Sequence, residues 1–178
     1  MSENHYQLFG LPVAFEVDGE TLALRYRDLQ KAVHPDRFAG ASERERLLSV
    51  QQASRINEAF RTLKDPLARA RYLLELNGIT LSDTDTGMDP MFLMEQMELR
   101  EALDEARAAA DPFAALNKVR DQAEATERQL LEELAALFAT GDPAALQGGP
   151  ERLRKLQFMR KLLDEVDERE EDLVHGNS

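Results

Sequence analysis

The sequence contains no cysteine and no tryptophan. Without cysteine the chain has no disulfide scaffold, no thiol nucleophile and no cysteine-ligated zinc or iron–sulfur cluster of its own. No uncharged apolar run approaches the roughly 18 residues of a membrane span. The opening Met1-Ser2-Glu3-Asn4-His5 lacks the basic start and apolar stretch of a secretory signal. A cytoplasmic protein with no membrane partner is expected. Glycine (9) and proline (7) are scarce and aromatics make up only 6%, yet 43% of the residues are apolar, too many for a disordered chain. Positive charge is short as well: 22 Lys and Arg face 34 Asp and Glu, a net charge of −12. That deficit excludes a phosphate-backbone partner for the chain as a whole, because nucleic-acid binding needs clustered cations.

The missing positive charge is missing from one half only. Residues 1–76 hold 11 basic and 11 acidic side chains, whereas residues 77–178 hold 11 and 23. Such asymmetry points to two units with different partners, and 178 residues suffice for two small domains.

What is present is helix. Ala, Leu, Glu, Gln and Arg dominate, and no stretch alternates as a strand does. Four of the seven prolines follow aspartate, at Asp65-Pro66, Asp89-Pro90, Asp111-Pro112 and Asp142-Pro143. Each pair reads as a helix start, since Asp caps free N–H groups and Pro suits the first helical position. The first half then comprises a short helix at 5–9, a second at 19–33, a third to Lys64 started by the Ser42/Glu45 capping box, and a fourth at 66–76 stopped by Asn77-Gly78. Residues 77–89 have linker composition. Three long helices are predicted beyond, at 90–110, 112–139 and 150–174, with a break at 141–149. The fold expected is all-α: a helical hairpin with short flanking helices over 1–76, then a three-helix bundle over 90–178.

On the second helix, Leu22, Tyr26, Leu29 and Val33 form one apolar stripe. Arg27 and Lys31 lie opposite, with Arg25 to one side. Alone, that is a solvated basic face. The helix, however, runs into His34-Pro35-Asp36, a tripeptide expected by chance about 0.01 times in a chain of this composition. Pro35 forces His34 out of the helix, so an imidazole and a carboxylate stand on a stiff turn beside the basic face. No nucleophile is placed near them by any motif. His5, His34 and His175 are too far apart in sequence to suggest a metal site. Gly148-Gly149-Pro150 lacks the Lys and Ser or Thr of a phosphate loop. No catalytic residue, metal or cofactor is expected.

In the helix from Pro90, Phe92, Leu99, Leu103 and Ala106 share one face. Leu93, Met94 and Met97 point away from it, beside Glu98 and Glu101. One helix of a bundle cannot bury both faces. Two readings follow: a partner-docking surface, for which methionine is well suited, or a face that covers the first domain. In the last helix Leu153, Leu156, Met159, Leu163 and Val166 define the buried side and Phe158 points outward. The acidic run at 164–172 reads as a solvated helix end.

Three segments carry a resemblance. Tyr6-Gln7-Leu8-Phe9-Gly10-Leu11, the basic helix ending in His34-Pro35-Asp36, and Ile56-Asn57-Glu58-Ala59-Phe60-Arg61-Thr62-Leu63 resemble a J-domain, the part of DnaJ-type co-chaperones that stimulates ATP hydrolysis by DnaK-class chaperones. Asp65-Pro66-Leu67-Ala68-Arg69-Ala70-Arg71-Tyr72-Leu73-Leu74 and Phe92-Leu93-Met94-Glu95-Gln96-Met97-Glu98-Leu99-Arg100-Glu101 narrow it to the HscB branch, the J-type co-chaperones of iron–sulfur cluster assembly. Arg37 stands where many J-domains carry Lys. The amino-terminal cysteine pairs of the eukaryotic branch are absent, as in the bacterial form.

The resemblance implies a non-enzymatic adaptor. His34, Pro35, Asp36, Arg25, Arg27 and Lys31 would engage an HscA/DnaK-type chaperone ATPase. Leu93, Met94, Met97, Glu98, Glu101 and Phe158 would hold an IscU-like cluster scaffold, Met97 standing where a relative carries Leu, a volume-conserving exchange. A monomer is expected. The rival readings are a general J-domain co-chaperone, against which stands the lack of a Gly/Phe-rich linker or zinc region, and a helical hydrolase built on His34 and Asp36.

Overall fold

The four Asp-Pro pairs each start a helix. In the computed structural model, which describes residues 2–82 and 87–176, the side chains of Asp65, Asp89, Asp111 and Asp142 accept backbone N–H groups of the first turn, and the proline following each is the first helical residue. Eight α-helices result among the described residues: α1 (His5–Leu8), α2 (Gly19–Val33), α3 (Glu43–Lys64), α4 (Pro66–Leu76), α5 (Pro90–Glu105), α6 (Pro112–Thr140), α7 (Pro143–Leu146) and α8 (Gly149–His175). No strand occurs among those residues. The chain divides into two compact units, Met1–Asn77 and Gly78–Ser178. Of the stretch read as a linker, residues 83–86 lie outside the described residues.

In the first unit α2 and α3 form a hairpin, with α1 and α4 packed against α3. Tyr6, Leu22, Ile56, Leu63 and Leu74 are its fully buried anchors. Tyr6 donates its hydroxyl hydrogen to the Ala14 carbonyl at 2.7 Å, and Tyr72 stacks on His5 with ring centroids 4.3 Å apart. Along the α2 stripe Leu22 is buried, but Tyr26, Leu29 and Val33 are only half-buried. Two helices alone cannot enclose the hairpin tip. Tyr26 compensates by stacking on Phe60, centroids 3.9 Å apart, and donating to Asn57 Oδ1. For the same reason Leu47, Leu48 and Val50 at the start of α3 are left exposed.

In the second unit the ion pairs report the helix directions. Asp89 meets Lys155, Arg100 meets Glu165 and Asp104 meets Arg169, so partners rise together and α5 runs parallel to α8. Glu133 meets Arg152, Glu127 meets Arg160 and Arg120 meets Asp167, so α6 runs antiparallel to α8. Phe92, Leu99, Leu103 and Ala106 are all buried, as their shared face predicts.

Three details differ from the sequence reading. Helix α5 stops at Glu105 and passes into a 3-10 turn, Ala106–Ala108, rather than continuing to residue 110; Ala109 and Asp111 must be extended for Asp111 to cap α6 ahead of Pro112. The break after α6 contains the one-turn α7, reached through Gly141 at φ +62°, a left-handed conformation that favours glycine. On α8 it is Leu162, not Leu163, that is fully buried. Because α8 packs against both α5 and α6, its buried arc is wider than one stripe, and Phe158 lies only about 40° from Leu162 around the helix.

Candidate functional site

Two surfaces hold the residues singled out from the sequence, one in each unit. At the hairpin tip α2 ends where His34 turns extended (φ −57°, ψ 131°), and Pro35 begins a 3-10 turn, Pro35–Phe38. The turn is held by its own motif. The Asp36 N–H donates to His34 Nδ1 at 3.2 Å, so the neutral ring carries its proton on Nε2. Arg37 N–H donates to the His34 carbonyl, and the Arg37 guanidinium donates to the Lys31 carbonyl at the end of α2. The Asp36 carboxylate sits 3.6 Å from His34 Nδ1 and is 93% exposed, with His34 58% exposed. A donor and an acceptor are thus displayed on a fixed turn with nothing of the unit covering them.

The basic residues divide. Arg27, Lys31 and His34 recur at helical spacing along one exposed side, and among the described residues Arg27 and Lys31 make no ion pair. Arg25, exposed like them, has a structural task as well. Its Nη1 donates to the Phe9 and Gly10 carbonyls at 2.7 and 2.6 Å, tying α2 to the turn after α1. Gly10 must be glycine there: its φ is +61° and a Cβ would meet the Arg25 guanidinium at 3.0 Å.

In the second unit Leu93, Met94 and Met97 are 41%, 63% and 70% exposed, and Glu98 and Glu101 flank them, also exposed. The parallel register of α5 and α8 sets Phe158 level with Phe92 and Leu93. Phe158 does not point freely outward, contrary to the reading of its helix. It is half-buried, its ring edge-on to Phe92 with centroids 6.3 Å apart. The Arg100–Glu165 pair, at 3.0 Å, closes the α5–α8 seam two turns further along. Met91, exposed at 78%, extends the apolar surface and is not among the residues the sequence singles out; its place directly after Asp89-Pro90 is the signal that it stands on the first turn of α5, one turn before Met94.

Among the described residues no group of three His, Cys, Asp or Glu side chains is placed to hold a metal ion, and no helix is long and apolar enough to cross a membrane. Both surfaces present side chains outward and neither closes around a small molecule, which is the geometry of protein docking.

Comparison with known proteins gives a consistent picture. Residues 88–167 match a family model described as the HSCB C-terminal oligomerisation domain. The chain is 49% identical to a co-chaperone protein HscB homolog of Vibrio cholerae over 172 residues, 96% of this chain and 99% of that one. Among solved structures it is similar to the chaperone HscB from Vibrio cholerae, with 48% identity, a TM-score of 0.87 and coverage of 96% of this chain and 99% of that one. It is also similar to the human co-chaperone protein HscB, at 30% identity and a TM-score of 0.86, covering 95% of this chain and 83% of that one.

Proposed function

The chain belongs to the HscB family of co-chaperones, and from that membership we propose that it stimulates the ATPase of an HscA/DnaK-type chaperone with its first unit while its second unit carries an IscU-like scaffold on which iron–sulfur clusters are built. The observation that carries the reading is the His34-Pro35-Asp36 turn, self-braced and exposed at the end of a helix whose Arg27 and Lys31 are unpaired among the described residues.

The physical step is differential binding. A co-chaperone accelerates hydrolysis in its partner only by binding the hydrolysis-ready conformation more tightly than the resting one. Pro35 and the Asp36 N–H bond to His34 fix the turn before the encounter, so little ordering entropy is lost on docking. Arg27 and Lys31 steer the hairpin toward an acidic surface, and His34 Nε2 and the Asp36 carboxylate then exchange hydrogen bonds with groups aligned only in the ready state. This chain transfers no phosphoryl group and supplies no catalytic residue.

On the second unit, Leu93, Met94 and Met97 supply apolar area, Phe158 contributes its free edge, and Glu98 and Glu101 set charge preference at the rim. The cluster is cargo held by the scaffold's own ligands, since this chain has no cysteine. Joining both surfaces covalently raises the local concentration of client near chaperone. ATPase assays of an HscA-type chaperone with its scaffold test the reading: the intact chain raises the rate and His34→Gln abolishes the effect. Stimulation that survives His34→Gln overturns it.

A further inference from the structure

All the sulfur of this chain is in thioethers, because it has six methionines and no cysteine. Met159 is fully enclosed and Met88 is half-buried, whereas Met91, Met94 and Met97 stand exposed. These three follow one another at intervals of three residues along α5, each about one turn from the next. Among the described residues, the freely exposed sulfur is therefore gathered on and beside the face assigned above to the scaffold. An oxidant in solution reaches these three side chains before it reaches Met159.

We infer that this surface is an oxidant-sensitive switch: oxidation of Met91, Met94 and Met97 to methionine sulfoxide releases the scaffold, and reduction restores docking. The inference rests on the adaptor reading and adds a means of regulation to it. The oxidant is hydrogen peroxide. A thioether lone pair attacks one peroxide oxygen, the O–O bond breaks, an S–O bond forms and water leaves. Sulfur loses two electrons and the peroxide gains them. A methionine sulfoxide reductase with a dithiol reverses the step, giving the thioether, a disulfide and water.

Each sulfoxide turns a flexible apolar side chain into a polar hydrogen-bond acceptor. In the free chain water satisfies the new oxygen. Under a docked partner that water is stripped away, and the oxygen must find a donor or lose its hydrogen bond. This chain has little to offer it. Glu98 and Glu101 at the rim accept but do not donate when ionised. In the hollow lined by Met91 and Met94, Thr126 already donates to Glu95, Gln129 donates to Glu133, and Lys155 is paired with Asp89 and Glu151. Folding is insulated from the change. Phe92, Leu99 and Leu103, which seat α5 in the bundle, carry no sulfur, and the core thioether of Met159 is shielded.

The test is peroxide treatment of the full chain, removal of the peroxide by catalase, and titration with the scaffold. Peptide mass spectrometry finds one added oxygen on Met91, Met94 and Met97 before any on Met159. Scaffold affinity falls about tenfold or more, while the urea midpoint and the ATPase stimulation measured without scaffold stay in place. Methionine sulfoxide reductases A and B with dithiothreitol return the affinity. The triple variant Met91→Leu, Met94→Leu and Met97→Leu is compared with itself before and after peroxide, and the two affinities agree within about twofold whatever the starting value. Equal affinity of the oxidised and untreated chains, an equal loss in the triple variant, or a loss that tracks oxidation of Met159 and a lowered midpoint overturns the proposal. So does affinity that the reductases fail to return, a measurement made on the unsubstituted chain and independent of how the variant behaves. An untreated chain that does not bind the scaffold overturns the adaptor reading and the switch together, whereas an oxidised chain that still binds it overturns the switch alone.

Discussion

The ring of Phe158 stands edge-on to that of Phe92 at 6.3 Å, so a residue assigned to partner binding also closes the seam between α5 and α8. Phe158→Ala is therefore expected to lower unfolding free energy by about 1–2 kcal/mol, less than for a fully buried Phe, through lost ring contact. Leu93→Ala, at an exposed position, costs under about 0.5 kcal/mol. Urea denaturation of the two variants alongside scaffold titration separates folding from docking. The adaptor reading requires Leu93→Ala with Met97→Ala to weaken scaffold binding while leaving the unfolding midpoint in place.

Arg25 and Lys31 sit on the same helix with opposite expectations. Removing the Arg25 guanidinium leaves the Phe9 and Gly10 carbonyls without their donor, and Arg25→Ala should cost about 1–2 kcal/mol of stability. Lys31→Ala should leave the unfolding curve unchanged and lower the affinity for the chaperone, an effect that fades as salt rises. Chemical denaturation and ATPase titrations at two ionic strengths check both. Loss of stability in Lys31→Ala would remove it from the docking set.

His34 allows the geometry of the turn to be separated from its chemistry. An Asn side-chain oxygen accepts the N–H two residues on, as His34 Nδ1 does here. His34→Asn is thus expected to preserve the turn, with amide shifts changed only locally, and still to lose ATPase stimulation because the Nε2 donor is gone. Retained stimulation would mean that turn shape alone suffices.

Stability should depend on pH in two windows. Burial holds the His5 imidazole below its ordinary value of 6.5, with Glu58 opposing the shift and Arg55 adding to it. Its folded pKa is depressed, so the unfolded chain binds the extra proton first. Stability is then complete well above pH 6.5 and falls as the pH drops through that value. The Asp18 and Glu45 carboxyls are also depressed, by the backbone N–H groups of Thr21 and Glu20 and of Ser42. Their contribution is present above the ordinary carboxylate range and is lost as the pH falls through their lowered values. His5→Phe, which preserves a ring against Tyr72, should flatten the first window and leave the second. Urea midpoints between pH 8 and 3 report both.

How far the chain could be read without coordinates follows from the range of each interaction. Every predicted helix start held to within a residue, because a cap is set by neighbours three or four positions away: Asp65, Asp111 and Ser42 accept from the turn they begin. The buried face of α5 was legible for the same reason, as Phe92, Leu99 and Leu103 need only helical spacing to align. Its end was not, since the reversal at Ala109 answers to where α6 begins.

The sequence by itself determined the helices, the split of charge between the halves, the absence of any cysteine ligand and the motif segments that place the chain in its family. Tertiary structure alone decided that α5 runs parallel to α8, that Leu162 rather than Leu163 is enclosed, that Phe158 is half-buried and that Arg25 braces a distant turn. The Arg25 brace and the α5–α8 contacts join residues 15 to 66 positions apart. Periodicity fixes the face a side chain occupies on its own helix, but only packing sets which neighbour meets that face and how much of it stays in water.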